Sequence, residues 1–208
     1  MKKRSFLTTT ILLALASGIV LMYGAFGPIA NEPVAEVGKA APAFSLTDLN
    51  GNTVSLADFK GKVVVLEWTN PNCPFVQRVY REGIMTKVQK KYTDKVVWLS
   101  VNSTSQSHQD YLEPGALSEK YKEWKADQDA MLMDTDGTVG KMFEAKTTPH
   151  MYIIDTKGVL VYNGGIDDDP RGNKSEKVNF VEAALDEVLA GKAVTTSTSR
   201  PYGCSVKY

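Results

Sequence analysis

The sequence predicts an α/β domain in which helices flank a central mixed β-sheet and a β-hairpin stands at the N-terminal end. Continuous apolar runs at residues 62–68 and 96–101 are typical of strands that are buried on both faces. Between them, apolar residues recur at approximately helical spacing over residues 75–92. Strand, helix and strand in this order form a βαβ unit with a parallel strand pair. Hairpin signals before and after this unit add antiparallel strands, so we expect the sheet to be mixed.

The elements around the βαβ unit follow from turn residues and periodicity. Asn50-Gly51 stands between short alternating runs at residues 44–48 and 53–56, and Asn-Gly is typical of a tight hairpin turn. Gly83 weakens the middle of the predicted helix because glycine is a poor helix former. The later predicted elements are a connecting helix at 116–126, a strand at 131–134, a helix at 139–143, a hairpin of strands 151–155 and 159–162, and an amphipathic helix at 178–189.

The N-terminal segment has the pattern of an export signal. Three basic residues at positions 2–4 precede an apolar stretch of about 20 residues, which is typical of a secretory signal and also long enough to span a bilayer. We therefore predict export to the periplasm or cell envelope, with a cleaved signal peptide and a membrane anchor as open alternatives. The predicted organisation is a signal peptide or anchor at 1–30, a linker at 31–39, the α/β domain at 40–192 and a tail at 193–208.

The composition excludes some classes of function. The chain has 24 basic and 24 acidic residues, whereas nucleic-acid-binding domains usually carry a basic excess. We therefore expect no nucleic-acid partner, and contact with a membrane only through the N-terminal segment. Two cysteines are too few for a disulfide-dense scaffold, so a hydrophobic core must supply most of the stability.

Cys73 is the most informative residue of the chain, because it lies between the first buried strand and the helix that follows. A thiol at the first turn of a helix faces unpaired backbone N–H groups and the positive end of the helix dipole. Both stabilise the thiolate and lower the pKa of the thiol. A second cysteine three residues later would complete a Cys-x-x-Cys pair, but Val76 occupies that position. The only other cysteine of the chain is Cys204.

Three further motifs stand in order around Cys73. Residues 37–44 read Val-Gly-Lys-Ala-Ala-Pro-Ala-Phe, residues 56–62 read Leu-Ala-Asp-Phe-Lys-Gly-Lys, and Thr148-Pro149 lies just before a predicted strand. Together they resemble the thioredoxin superfamily, and most closely its peroxiredoxin-like, redoxin branch related to AhpC/TSA. The resemblance covers most of the predicted domain and implies a thioredoxin-like fold.

The resemblance also implies the position of several side chains. In that superfamily the proline at the Pro149 position forms a cis peptide bond beside the reactive cysteine, where neighbouring backbone groups bind extended substrate. Thr148 and His150 are therefore expected at the site. His150 would lower the pKa of the thiol as a hydrogen-bond donor or cation, accept its proton as a base, or lie solvated without a role.

The chain departs from standard peroxiredoxins. Those proteins place the peroxidatic cysteine at the position that Val76 holds here, and the threonine three residues before the cysteine is replaced by Asn70. The remaining cysteine corresponds to the first, more nucleophilic member of the thioredoxin pair. A narrower group with an Asn-x-Cys-Pro-[Tyr/Phe]-Val motif and a C-terminal Gly-Cys-x-[Ile/Val]-Lys tail is more similar. Asn70 or Asn72 with residues 73–76, and residues 203–207, look like its two halves.

These features predict a thiol-dependent oxidoreductase. Cys73 as thiolate would attack a disulfide or a peroxide, and Cys204 would resolve the intermediate by forming a Cys73–Cys204 bridge. The predicted partner is a thiol- or disulfide-bearing protein, a low-molecular-weight thiol, or a peroxide. Two alternatives stay open: a non-catalytic binding or assembly module in which the same bridge is structural, and two unpaired thiols.

The tail and an aromatic residue near the cysteine complete the expected site. Residues 193–199 are rich in Ser and Thr, which suits a mobile tether that folds back across the domain. Tyr202 and Tyr208 are then expected to dock near Trp68 and Phe75. Trp68 itself would shield the sulfur or form part of the core.

Two neighbours of the cysteine, Asn72 and Pro74, are expected in the substrate groove. We predict no metal site and no cofactor. A copper site of the Cys-x-x-x-Cys type is broken because Gln77 occupies the second position. The three aspartates at 167–169 are typical of a solvated turn.

Overall fold

The computed structural model describes residues 34–208, and its elements follow the predicted order. The strands are β1 (Ser45–Asp48), β2 (Thr53–Ser55), β3 (Val64–Trp68), β4 (Val97–Asn102), β5 (Ala130–Met133), β6 (Thr147–Thr148), β7 (His150–Ile154), β8 (Leu160–Gly164) and β9 (Cys204–Ser205). The helices are α1 (Pro74–Arg81), α2 (Ile84–Lys91), α3 (Pro114–Glu123), α4 (Thr138–Met142) and α5 (Phe180–Leu189).

Seven strands form one sheet in the spatial order β2-β1-β5-β4-β3-β7-β8. The pairs β3·β4 and β4·β5 are parallel, and the other neighbours are antiparallel. The predicted mixed sheet with an N-terminal hairpin is therefore confirmed. The strand β3, which leads to Cys73, lies inside the sheet between β4 and β7 and is buried along its whole length.

The sheet separates two apolar cores. Alternate residues of β3 enter different cores, because successive side chains of a strand point to opposite faces. Val65 belongs to the core that also contains buried residues of α1, α2, α3 and α5. Leu66 and Trp68 belong to the core that contains Phe44 and Phe143. Cys73 is part of the first core, on the face covered by four helices.

The single helix predicted at 75–92 is two helices. Gly83 has a φ of +69°, a left-handed conformation that glycine adopts without steric cost and that an α-helix does not contain. As a result α1 ends at Arg81 and α2 begins at Ile84. The glycine that weakened the sequence pattern thus marks a true break, and α1 is a separate short helix that carries Cys73 at its start.

Two other helices begin at different residues from those predicted. The connecting helix α3 begins two residues before the predicted position 116, because Pro114 occupies its first turn, where a missing N–H costs nothing. In α5 the Asn179 side chain accepts a hydrogen bond from the backbone N–H of Glu182 at 2.9 Å and caps the helix. Val178, which the periodicity had placed in the helix, lies outside it and is exposed.

Part of the predicted linker packs against the domain. Ala35 is buried and its N–H donates to the carbonyl oxygen of Met142, while the N–H of Gly38 donates to Leu160. The signal peptide or anchor predicted at 1–30 lies outside the described residues. Among residues 34–208, the structure contains no helix that combines the length and apolar character needed to cross a bilayer.

Candidate active site

Cys73 is placed by a tight loop between β3 and α1. The side-chain oxygen of Asn70 accepts a hydrogen bond from the N–H of Asn72 at 2.7 Å, and the carbonyl oxygen of Asn70 accepts from the N–H of Cys73 at 3.1 Å. The Asn70 amide group donates in turn to the hydroxyl of Thr104. Asn70 is buried and organises the loop, whereas the sequence resemblance matched either Asn70 or Asn72 to a motif position and did not predict this role.

The thiol of Cys73 lies at the start of α1 and against the cis-proline turn. Cys73 is the N-cap residue of α1, with Pro74 directly after it at the first helical position. The Thr148–Pro149 peptide bond is cis, which confirms the geometry implied by the resemblance. The Cys73 Sγ atom lies 3.0 Å from the carbonyl oxygen of Thr148, to which the thiol donates. Only 2% of the Cys73 surface is exposed.

The C-terminal tail brings the second cysteine to the same turn. The strand β9 pairs antiparallel with β6, and in this register Cys204 lies opposite Thr148. Gly203 allows the close approach, because a Cβ atom at that position would overlap the carbonyl oxygen of Thr148. The two cysteines are both reduced in the structure, with the Cys204 thiol within hydrogen-bonding reach of Cys73. Residues 131 positions apart in the sequence therefore form one site.

The tail is fixed at several points, in contrast to the mobile tether predicted at 193–199. The N–H of Asn163 in β8 donates to the carbonyl oxygen of Ser197, and the N–H of Ser199 donates back to Asn163. The Tyr202 ring lies 6.0 Å from the Phe75 ring, as predicted. The Tyr208 ring covers Gly137 and Gly140, where the Ser103 hydroxyl that accepts from the Trp68 indole also lies, and the Tyr208 hydroxyl donates to the carbonyl oxygen of Ala145.

The two thiols differ in acidity. Burial raises the pKa of Cys73, but hydrogen bonds from the Cys204 thiol and from the N–H groups of Val76 and Cys204 help to outweigh burial and leave the pKa below its ordinary value. The pKa of Cys204 is raised to about 12 by burial, by its hydrogen bond to Cys73 and by the charge on Cys73. Cys73 is therefore the more acidic of the two thiols and ionises first, which makes it the candidate nucleophile.

His150 does not have the predicted activating role. Its Nδ1 atom accepts a hydrogen bond from the N–H of Lys146 at 3.3 Å, and its Nε2 atom lies 2.8 Å from the side-chain oxygen of Asn163. Burial lowers the pKa of His150 to about 4, so the ring is neutral near pH 7. Both ring nitrogens are engaged away from the Cys73 thiol, and the residue instead ties β7 to β8.

Trp68 lies away from the sulfur, and the side chain of Asn72 contacts a neighbouring loop. The Trp68 indole N–H donates to the Ser103 hydroxyl at 3.0 Å, and its ring packs on Phe143 and Tyr152 in the core on the other face of the sheet from Cys73. Trp68 is thus a core residue and does not shield the thiol. The Asn72 side chain is exposed and reaches only the backbone of the loop near residue 110.

A buried polar layer below the thiol was not predicted. Glu67 is fully buried, and burial raises the pKa of its carboxyl group although Trp98, Tyr80 and Ser100 donate hydrogen bonds to it. Closer to the surface, the hydroxyl of Tyr121 contacts that of Thr69 at 2.5 Å, and the charge of Cys73 helps to raise the pKa of Tyr121. A glutamate inside an apolar strand was the sequence signal for this layer.

The groups available for chemistry at this site are sulfur atoms. Within residues 34–208 there is no cluster of three or more His, Cys, Asp or Glu side chains that would hold a metal ion. Two thiols of unequal acidity that approach one another can exchange between a dithiol and a disulfide. The geometry thus fits two-electron thiol chemistry.

Comparison with known proteins agrees with this chemistry. The model of the AhpC/TSA family matches residues 37–163, which is more than half of the chain. The thiol-disulfide oxidoreductase ResA of Bacillus cereus is 27% identical over 164 residues, which cover 77% of this chain and 88% of ResA. Peroxiredoxin Q from the chloroplast of Suaeda salsa is 29% identical over 155 residues, covering 70% of this chain and 67% of that protein.

A solved structure is similar over most of the length. An uncharacterized conserved protein from Geobacillus kaustophilus has 32% sequence identity and a TM-score of 0.73, with 83% of this chain and 92% of that chain covered. Fold, cysteine site and family match lead to the same assignment. The chain belongs to the AhpC/TSA family, in the redoxin branch of the thioredoxin-like fold, and is a thiol-based oxidoreductase.

Proposed function

We propose that this protein is an exported thiol-disulfide oxidoreductase of the cell envelope, with Cys73 as nucleophile and Cys204 as resolving cysteine. The observation that carries the proposal is the pairing of β9 with β6, which places the Cys204 thiol where it donates a hydrogen bond to Cys73. The export part of the proposal rests on the basic and apolar N-terminal sequence at 1–30. ResA, a relative of similar length, is named for the same reaction.

The first step is attack by the Cys73 thiolate on one sulfur of a substrate disulfide. A bond forms between Cys73 and that sulfur, the substrate S–S bond breaks, and the other substrate sulfur leaves as a thiolate. The second step is attack by Cys204, after loss of its proton, on the Cys73 sulfur. The bond between Cys73 and the substrate breaks, and the second substrate sulfur leaves as a thiolate that takes up a proton. The substrate is then a dithiol, and the two electrons it gained are those that Cys73 and Cys204 lost when they formed their disulfide.

The asymmetry of the two thiols suits this order of events. While Cys73 is a thiolate, its charge and its hydrogen bond help to keep Cys204 protonated. In the mixed disulfide Cys73 carries no charge, so these two causes disappear and the pKa of Cys204 falls. Cys204 thus becomes a nucleophile only after the first step has occurred.

The reduced structure is a closed state. Cys73 is covered by β9, and a protein disulfide cannot reach its sulfur in this arrangement. We infer that residues 204–208 lift away, which breaks the pairing of β9 with β6 and the hydrogen bond from Tyr208 to Ala145, while the preceding residues stay anchored. The Tyr202 hydroxyl donates to Asp167 at 2.6 Å and accepts from Arg78 at 3.1 Å, so Gly203 is the natural hinge between the anchored and the moving part.

Peroxide is the second candidate oxidant, because Peroxiredoxin Q is among the relatives. A peroxide is small enough to approach a nearly buried sulfur with less movement of the tail than a protein needs. The thiolate of Cys73 would attack one peroxide oxygen and become a sulfenic acid, while the O–O bond breaks and the other oxygen leaves as hydroxide or alkoxide, which takes up a proton. Cys204 would then condense with it, releasing water and forming the same disulfide.

The proposed function is tested by trapping on a short peptide that contains one disulfide. We expect the wild-type protein to reduce the peptide and to gain the intramolecular bridge. The Cys204→Ser variant should accumulate a one-to-one mixed disulfide on Cys73, visible by mass spectrometry, and Cys73→Ser should form none. If Cys73→Ser formed an adduct on Cys204 as fast as the other variant does on Cys73, the assignment of roles would fail.

A further inference from the structure

An open groove begins beside the two cysteines. One cavity of about 670 Å³ and a second of about 310 Å³ share Phe75, Pro170 and Arg171, so they form one continuous surface depression. We call it the arginine groove. Its apolar floor includes Phe75, Phe180 and the ring of Tyr202, which is the kind of surface that accepts apolar side chains of a partner.

The groove lies directly beside the reactive sulfurs. Phe75 is two residues beyond Cys73, and Gly203 directly precedes Cys204. Thr147, which also lines the groove, is the neighbour of the residue that accepts the hydrogen bond from the Cys73 thiol. A polypeptide that lies in the groove therefore leads its own sulfur atoms to the site.

The distribution of basic residues is uneven. All four arginines of residues 34–208, namely Arg78, Arg81, Arg171 and Arg200, line the groove, whereas none of the lysines of that region does. The guanidinium group differs from the ammonium group because it binds carboxylates through two parallel hydrogen bonds and is enriched at protein interfaces. A merely solvating surface gives no reason for this separation of arginine from lysine.

Three of the four arginines have no acidic partner. Within residues 34–208, Arg81, Arg171 and Arg200 are exposed and form no ion pair. Arg78 has another task, since it donates to Glu82 and to the Tyr202 hydroxyl. Three guanidinium groups are therefore available to a ligand.

The neighbouring aspartates do not neutralise these arginines. Asp168 forms an ion pair with Lys174 at 2.5 Å, and Asp169 forms one with Lys177 at 3.1 Å. Asp167 is buried and accepts the hydrogen bond from the Tyr202 hydroxyl. Asp168 and Asp169 thus already have cationic partners inside the protein, and Asp167 is buried, so the exposed and unpaired charge at the rim of the groove is positive.

We propose that the arginine groove binds an acidic segment of the protein partner, next to the disulfide that Cys73 attacks. The proposal rests on the proposed function and names the substrate class. An apolar side chain of the segment would enter the floor, and carboxylates beside it would pair with Arg81, Arg171 and Arg200. Opposite charge also accelerates the encounter, because it steers the partner towards the groove.

The test uses two synthetic peptides with the same single disulfide and the same apolar residues, one flanked by aspartates and one by lysines. We expect the reduced protein to react about tenfold faster with the acidic peptide at low ionic strength, with a smaller ratio at high salt. The double variant Arg81→Gln/Arg171→Gln should lose most of this preference. The matched control, Lys60→Gln/Lys157→Gln, removes two exposed charges outside the groove and should retain the preference for the acidic peptide.

A neutral small disulfide, hydroxyethyl disulfide, separates docking from chemistry. If all variants reduce it equally while the peptide preference depends on the arginines, the proposal is supported. If the two peptides react equally with the wild-type protein, or the arginine variant keeps the preference, the docking proposal is overturned while the proposed function stands. If the neutral disulfide does not react with Cys73 even in the wild-type protein, the proposed function itself fails.

Discussion

Cys73 and Cys204 have the same side chain, and their surroundings give them different roles. Cys73 receives hydrogen bonds from the start of α1 and from the tail, which favour its thiolate. At Cys204, burial, the hydrogen bond to Cys73 and the nearby negative charge favour the protonated form. Cys73, which attacks the substrate, and Cys204, which donates a hydrogen bond to it, are thus distinguished before any substrate binds.

His150 provides a prediction about stability. The pKa of its imidazole is about 4 in the folded protein and about 6.5 when unperturbed, so the unfolded chain binds more protons between these values. The contribution of the neutral imidazole to the free energy of unfolding is therefore complete above pH 6.5 and is lost as the pH falls towards 4. The total contribution is about 3 kcal/mol. Urea unfolding of wild type and His150→Gln at both ends of this range should show a smaller pH dependence for the variant.

The matched control for this experiment is His108→Gln. His108 is the only other histidine of the chain and lies in the partly exposed loop before α3. Its replacement should leave the acid destabilisation close to that of the wild-type protein. Equal pH dependence in wild type and His150→Gln would show that the buried imidazole is not the group responsible.

Among the secondary-structure elements, those that depend on local sequence signals could be predicted, whereas those that depend on long-range contacts could not. The hairpin around Asn50-Gly51 and the strand β3 were predicted because turn residues and apolar runs are local. The pairing of β6 with β9 was not, because each strand has two residues and no periodicity. The tail was therefore expected to be mobile, whereas backbone hydrogen bonds to β8 hold it in place.

Gly203→Ala should weaken the pairing of β9 with β6. Its φ of +138° is unfavourable for alanine, and the added Cβ would overlap the carbonyl oxygen of Thr148. We expect Cys204 to stop donating to Cys73 and the tail to open more often. The pH profile of Cys73 alkylation should then show a higher pKa for the thiol and a plateau rate that is about tenfold greater. This increase corresponds to a free energy of tail opening that is ~1–2 kcal/mol lower.

A second glycine separates tail opening from backbone strain alone. Gly191 also has a positive φ, +70°, but a Cβ atom there would meet nothing within 4 Å. Gly191→Ala is expected to lower general stability slightly and to leave the alkylation profile of Cys73 unchanged. Identical profiles for both variants would mean that β9 does not control access to the thiol.

For the whole molecule, the sequence could predict the sheet and the position of Cys73, but not how side chains are oriented around it. Pro149 lies beside the sulfur, as the resemblance to the thioredoxin superfamily implied. His150, one residue later, points elsewhere because it begins β7 opposite Trp68 of β3, and directly paired residues share a face of the sheet, here the face away from Cys73. The grouping of arginines in the groove likewise depends on four separate segments that meet only in the folded chain.

The redox potential of the Cys73–Cys204 pair distinguishes an enzyme from a module with a structural bridge. Bridging the two residues closes a long loop, which in the chain-entropy model stabilises the oxidised fold by about 4–5 kcal/mol and makes the potential more negative. Stabilisation of the Cys73 thiolate in the reduced fold acts in the opposite direction. We expect the second effect to bring the potential into the range of exchange proteins, about −270 to −120 mV, as measured by equilibration with glutathione or dithiothreitol. A value below about −300 mV would favour the structural bridge.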